Sequence, residues 1–346
     1  MSRILRSTPC TSTQTLGLMK SLMKSMAVAC LVFLIGVACL SHPVRAEHDP
    51  WRGKPLVPLP EVTNIDADKV RLGEKLFHDA RLSADDTISC ATCHDLNNGG
   101  ADGRNMPVGI DGTEGTVNTP TVFNSAYNFS QFWDGRAENL QEQAAGPVHN
   151  PAEMGSNWPD VVAKLNRDAV MKSGFRKSYD DGITGDNIVD AIAAFERTLV
   201  TFNAPFDRFL NGDTGAISTA AKSGYELFQT YGCVSCHQGV NVGGNMYQTM
   251  GAMGDYFGDR GSETNSDQGR FRVTGRERDR HVFKVPSLRM VSRTAPYFHD
   301  GSAETLEDAV KDMAKYQLGR DIPDKDVKLI VEFLQSLAGE YIRFDP

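Results

Sequence analysis

Apolar side chains recur every three or four positions along much of this chain, and the two-residue alternation of a half-buried strand is nearly absent. Over residues 187–202, Ile188, Ala191, Ile192, Phe195 and Leu199 fall on one helical face. Ser218 can cap a helix running to Phe228, and Asp324 another running to Leu337, with Val327, Ile330, Val331 and Leu334 on its inner side. Leu306, Ala309, Val310 and Met313 make a further apolar stripe. Residues 97–118 are rich in glycine and poor in apolar side chains, and residues 203–215 are rich in Asn, Asp, Gly and Pro. The pattern predicts a mainly α protein whose helices are joined by long loops.

The two halves of the chain resemble each other. LGEKLF at 72–77 leads to one cysteine pair and GYELF at 224–228 to another. Thr119-Pro120-Thr121-Val122 matches Val285-Pro286-Ser287-Leu288, and Phe132-Trp133-Asp134-Gly135-Arg136-Ala137-Glu138 matches Phe298-His299-Asp300-Gly301-Ser302-Ala303-Glu304, both at an offset of 166 without a gap. A duplicated domain is the simplest architecture, and 346 residues suit two domains. The polar segment at 203–215 sets the boundary, giving domains at 47–203 and 204–346.

Residues 1–46 read as an export signal. Lys20 and Lys24 precede an apolar stretch at 26–40, and Val44 and Ala46 supply the small residues of a cleavage site. An uncleaved anchor is the competing reading. Export to the periplasm with cleavage leaves four cysteines, Cys90, Cys93, Cys233 and Cys236. Formal net charge is −8, and loss of the basic signal makes the remainder more acidic. That balance argues against a nucleic-acid partner, which needs a basic face.

The cysteines form two identical spacings, each followed at once by histidine: Cys90-Ala91-Thr92-Cys93-His94 and Cys233-Val234-Ser235-Cys236-His237. This is the spacing of covalent haem c attachment. Two thiols can form thioethers with the vinyl groups on one porphyrin edge, and the adjacent histidine lies under the iron. A redox disulfide and a zinc site are the alternatives. A redox disulfide gives no reason for the histidines, and zinc would need the two pairs brought together. The glycine-rich loop at 97–118 follows the first motif directly and must cover or approach that haem's edge.

With the FWDGRAE, GPVHNPAEMG, APYFHDG and AVKDM segments added, the chain is similar over residues 56–337 to the bacterial di-haem cytochrome c peroxidase family, MauG-type enzymes included. The resemblance implies two cytochrome c-like domains, each with one covalently bound haem c. The N-terminal haem is the site of peroxide chemistry, and the C-terminal haem receives electrons. The implied activity is reduction of hydrogen peroxide to water with electrons from a small periplasmic cytochrome c or cupredoxin, a basic donor being favoured by charge. The family's common dimerisation adds a second copy of the chain as a partner.

Residue roles carry over position by position. Met313 matches the sixth ligand of the second haem; its thioether favours ferrous iron, and MauG-type enzymes use tyrosine there. Glu153 matches the family's acid–base carboxylate, with Gln143 near the same pocket, and Trp133 matches the tryptophan between the haems. His299, the counterpart of Trp133 in the second repeat, is expected to pack near the second haem without binding iron. Asn118, Thr294 and Pro296 match positions that hold a calcium ion, which one side-chain oxygen and two carbonyls suit. One departure matters. Many members carry an iron-capping histidine in the loop after the first motif, and gap-free alignment puts Ile110 there. Ile110 cannot ligate iron, so the first haem is expected to be five-coordinate or weakly water-ligated, with His149 or Met106 as alternative caps. MauG-like oxidation of a protein side chain and electron transfer without catalysis are the competing functions.

Overall fold

Local capping decides where most of the helices begin. The computed structural model describes residues 53–344, so the expected export signal at 1–46 lies outside the described residues. Asp66 accepts from the backbone of Asp68 and Lys69 and starts α1 (Ala67–Phe77). Asn139, Asn157 and Asp168 do the same for α2 (Leu140–His149), α3 (Trp158–Leu165) and α4 (Ala169–Ser178). Thr184 caps α5 (Gly185–Glu196) and Ser218 caps α6 (Thr219–Tyr231). Thr305 caps α7 (Leu306–Asp312), which continues into a π-helical turn, Met313–Gln317. The last helix is α8 (Asp324–Gln335).

Strands are few and short. β1 (Thr201–Phe202) pairs antiparallel with β4 (Glu340–Tyr341), and β2 (Tyr247–Thr249) with β3 (Val282–Lys284). The protein is mainly α, as the periodicity implies. Among the described residues no helix is long and apolar enough to cross a membrane.

Three expected helix ends differ from the structure. α5 stops at Glu196, because the β-branched Thr198, Val200 and Thr201 favour extended backbone and Thr201 enters β1; Leu199 is buried from a turn instead. α6 runs three residues past Phe228, to where Gly232 closes it in the left-handed conformation. Asp324 is the first helical residue of α8 rather than its cap; Pro323 occupies that position and has no side-chain oxygen to offer.

Two cores organise the molecule. In the first, Leu72 and Leu76 of α1 meet Ile188 and Ile192 of α5, with Val161, Leu165 and Phe175 closing the far side. In the second, Phe228 of α6 meets Val327, Ile330 and Phe333 of α8, with Leu306 of α7. In each core two helices cross at a glycine. A Cβ on Gly73 would lie 1.8 Å from Ala191 O, and one on Gly224 would lie 1.9 Å from Leu329 O. One turn further along each facing helix is a phenylalanine, Phe195 and Phe333.

The 166-residue repeat is also visible in the backbone. Phe132 and Phe298 both take positive φ, 67° and 70°. Isolated bridges Gln131–Ala137 and Tyr297–Ala303 close the same turn in each half, and α2 and α7 start at equivalent positions. The polar segment 203–215 contains a short helix, Pro205–Leu210, with Phe206 in the second core. Its Asp207 binds the buried Arg289 in a two-pronged ion pair, with distances of 2.8 and 2.9 Å. Arg289 also donates to Val240 O at 2.6 Å and Val57 O at 3.1 Å.

The glycine crossings yield a prediction. Gly224→Ala drives a methyl into the α8 backbone and should cost about 1–3 kcal/mol. The check is the thermal unfolding midpoint of the haem-loaded variant against the parent.

Candidate functional site

The first Cys-x-x-Cys-His motif is built on a single helical turn, Cys90–Cys93. Ser89 N donates to Thr92 Oγ1 at 3.0 Å and His94 N to Cys90 O at 2.9 Å, so the turn delivers His94 at its end. The His94 ring is mostly buried, with Nδ1 3.2 Å from Gly100 O. An N–H donated there leaves Nε2 with the free lone pair that a metal takes. Burial pushes the His94 pKa down, which keeps the ring neutral. Gly100 O also accepts from Val122 N at 3.0 Å, tying the Thr119–Val122 segment beneath the histidine.

The second motif repeats the arrangement. Cys233–Ser235 is a 3₁₀ turn starting at Gly232, and His237 N donates to Cys233 O at 3.0 Å. Leu288 N donates to Val242 O at 3.2 Å, the counterpart of the Val122–Gly100 bond. His237 Nδ1 is buried without a hydrogen-bond partner among the described residues, and burial lowers its pKa to about 4. His237, Cys233 and Cys236 line a cavity of about 250 Å³, and Met313 lines the same cavity. Met313 opens the π-helical turn, whose Gln317 Oε1 accepts from Gly251 N at 2.8 Å and Ala252 N at 2.9 Å. Single π-helical turns of this kind occur mostly where a helix must present a functional side chain.

These residues fit haem c and do not fit the alternatives. The four cysteines among the described residues are free, and burial pushes Cys93 and Cys233 up to about 11, the reverse of a redox-active pair. Among the described residues the one group of acids and histidines close enough for a metal ion is Asp267, His299 and Asp300, without a cysteine. Arg260 already fills that group, binding Asp267 and Asp300. By contrast, two thiols, an imidazole held neutral by burial and a thioether around one largely apolar cavity suit a porphyrin.

Around the first motif, Glu153 sits in the turn after α2. Burial raises its pKa, while the hydrogen bond from Asn150 Nδ2, at 2.6 Å, and the Arg136 charge pull it back. The charge of Glu153 reaches both Cys90 and Cys93. Gln143 lies on α2 one turn before Pro147, on the same side of the helix. Pro147 occupies the repeat position of Met313 and has no donor for iron. Ile110 caps the loop from outside: its N–H donates to Glu153 O at 2.9 Å, and its Cδ1 lies against Gly155. His149 is exposed and edge-on to Trp158, with ring centroids 5.1 Å apart. Met106 is partly buried in the same loop.

Trp133 and His299, the repeat pair, face each other with ring centroids 6.4 Å apart, and both line the cavity of the second motif. Trp133 Nε1 donates to Asn118 O at 2.9 Å, and Asn118 N donates to His299 O at 2.8 Å. His299 Nε2 is 2.6 Å from Asp267 Oδ1, so the ring is engaged away from any iron. Asn118, Thr294 and Pro296 all line this same cavity, although Asn118 Nδ2 is already bonded to Arg104 O at 2.8 Å.

Four residues of the site were missed by sequence reasoning. Asn150 and Arg136 act on Glu153 and lie inside the quoted motifs, so their neighbourhood was visible but their targets were not. Glu196 and Lys284 are buried charged residues on apolar elements, and nothing in their spacing marks them.

Comparison with known proteins places the chain among close relatives. The family model for di-haem cytochrome c peroxidase matches residues 67–215. The cytochrome c peroxidase of Escherichia coli is 49% identical over 302 residues, which cover 87% of this chain and 64% of that protein's length. The cytochrome c551 peroxidase of Nitrosomonas europaea is 43% identical, covering 92% of each chain. The crystal structure of a MauG-like protein associated with microbial copper homeostasis superposes with a TM-score of 0.72 at 26% identity, covering 82% of this chain and 94% of that one.

Glu196 supplies a prediction of its own. It is buried at the end of α5, its Oε2 has no hydrogen-bond partner among the described residues, and burial raises its pKa from 4.5 to about 8. The folded state holds a proton that the unfolded state releases between those values, so stability falls as pH rises through that window. Glu196→Gln should flatten the fall, and unfolding midpoints measured near pH 5 and near pH 8 should converge in the variant.

Proposed function

The chain belongs to the di-haem cytochrome c peroxidase family, and on that premise we propose that it reduces hydrogen peroxide to water in the periplasm with electrons from a small cytochrome c or cupredoxin. Cys90 and Cys93 attach one haem c, with His94 on its iron. Cys233 and Cys236 attach the other, with His237 and Met313 as ligands. The halves 47–203 and 204–346 each carry one of them. The bound haems supply redox-active iron that takes up electrons singly.

The chain's own residues handle protons and order. Each peroxide consumes two electrons and two protons, and its cleavage needs a proton moved from one oxygen to the other. Glu153 carries that proton as general base and then acid. Its raised pKa brings it nearer the working pH, and Asn150 holds the carboxyl in one orientation. Gln143 lies on the same flank of α2. Trp133 would lie between the bound haems, and Asn118, Thr294 and Pro296, which share its cavity, would hold a calcium ion.

The observation that carries this reading is an asymmetry within the repeat. Where the second half presents Met313, the first presents Pro147, and the adjoining loop presents Ile110. A haem held at Cys90, Cys93 and His94 would therefore find no second side-chain ligand at either position, and Glu153 would be its acid–base group. A MauG-like oxidation would share that arrangement, but Met313 is the ligand of the peroxidases. Electron transfer alone leaves the half-buried Glu153 without a task.

Two measurements follow. The oxidised, haem-loaded protein should show a high-spin ferric signal in electron paramagnetic resonance that disappears on mixing with peroxide. Two low-spin haems inert until partial reduction would mean that His149, Met106 or another side chain caps the iron. Glu153→Gln should lower kcat/KM for peroxide by roughly 10²- to 10⁴-fold. In the parent, kcat/KM falls as pH drops through the Glu153 pKa. Asn150→Ala removes a bond that favours the carboxylate, so that fall should move to higher pH.

A further inference from the structure

Lys284 is a buried cation with no counter-charge. It lies on β3, is 8% exposed, and lines the cavity that holds His237 and Met313. Among the described residues its ammonium has no ion-pair or hydrogen-bond partner, and its lowered pKa, about 8, has burial as its cause. Among the described residues no Asp or Glu lines that cavity. The buried Asp267 behind His299 is already engaged by His299, Arg260 and Thr264. A buried ammonium left unpaired is costly, and natural proteins pair such groups. The arrangement calls for an anion that arrives with the cavity's occupant.

We propose that Lys284 is the seat for a propionate carboxylate of the haem attached at Cys233 and Cys236. The inference rests on the reading of that motif as a haem site. Haem brings two carboxylates on the edge opposite its vinyl groups, so an anchor at the cysteines leaves them for the far wall. Lys284 also has a backbone role: its N–H donates to Trp133 O at 2.8 Å. One residue thus fixes both the haem's carboxylate edge and the main chain of Trp133. The cation also disfavours the extra positive charge of ferric iron, which raises the midpoint potential of this haem and reinforces the effect of Met313. Lys284 is a positioning and tuning residue, not a catalytic one.

The test uses holoenzyme carrying Lys284→Gln, Lys284→Met or Lys284→Arg. Haem per chain is counted first by mass. A parent lacking haem at Cys233 and Cys236 would sink the di-haem reading itself, separately from this inference. With two haems present, each haem is titrated spectroelectrochemically near pH 6. The Gln and Met variants should shift the second haem toward its oxidised form by about tenfold, which is about 59 mV for a one-electron couple. The Arg variant should restore the parent value, and the first haem should not move. An unchanged second potential in Gln and Met, or an equal drop in all three variants, overturns the proposal. Repeating the parent titration across phosphate concentrations separates the source of the anion. A potential that tracks phosphate means Lys284 holds a free anion, which also overturns it.

Discussion

Two helices can touch backbone to backbone only where one of them gives up its side chain. That constraint, met at Gly73 and again at Gly224, sets the frame of this peroxidase. In each half the glycine helix ends close to the cysteine motif: α6 hands over at Gly232 directly to Cys233, and Cys90 packs against the core that α1 and α5 enclose. The close crossing removes freedom from the helix that leads to the haem motif. The motif's position is thereby inherited from backbone geometry rather than from a long list of side-chain contacts.

On that shared frame the two halves diverge through a few side chains. The turn after Phe132 and the turn after Phe298 have the same backbone, yet one presents Trp133 and the other His299. The helices that follow start from equivalent caps, yet one carries Pro147 and the other bends into the π-helical turn behind Met313. Single positions thus give one half a proline where the other has a methionine, and the proposed function turns on that difference.

What the sequence revealed follows from how local each constraint is. Thioether chemistry demands a fixed spacing of cysteines and histidine, so both motifs were legible, as was the repeat around them. Ser218 was recognisable as a cap because its partner is three residues away. Leu199 was identified as buried but assigned to the wrong element, since burial leaves a periodic mark while a helix end depends on β-branched neighbours and a strand partner at Tyr341. Glu196 and Lys284 were invisible for the opposite reason. A charged residue becomes unusual only through what surrounds it, and that surrounding is assembled from distant segments.

The Arg289–Asp207 pair has a consequence in time rather than in space. Its guanidinium gathers Val57, Asp207 and Val240 around one buried charge. A chain delivered from its N-terminus cannot close this knot until residue 289 has arrived, so long-range loop closure comes late in folding. Until then the three segments that Arg289 joins lack this tie. A haem joined at Cys233 and Cys236, as the proposed function requires, would have that interval for its attachment.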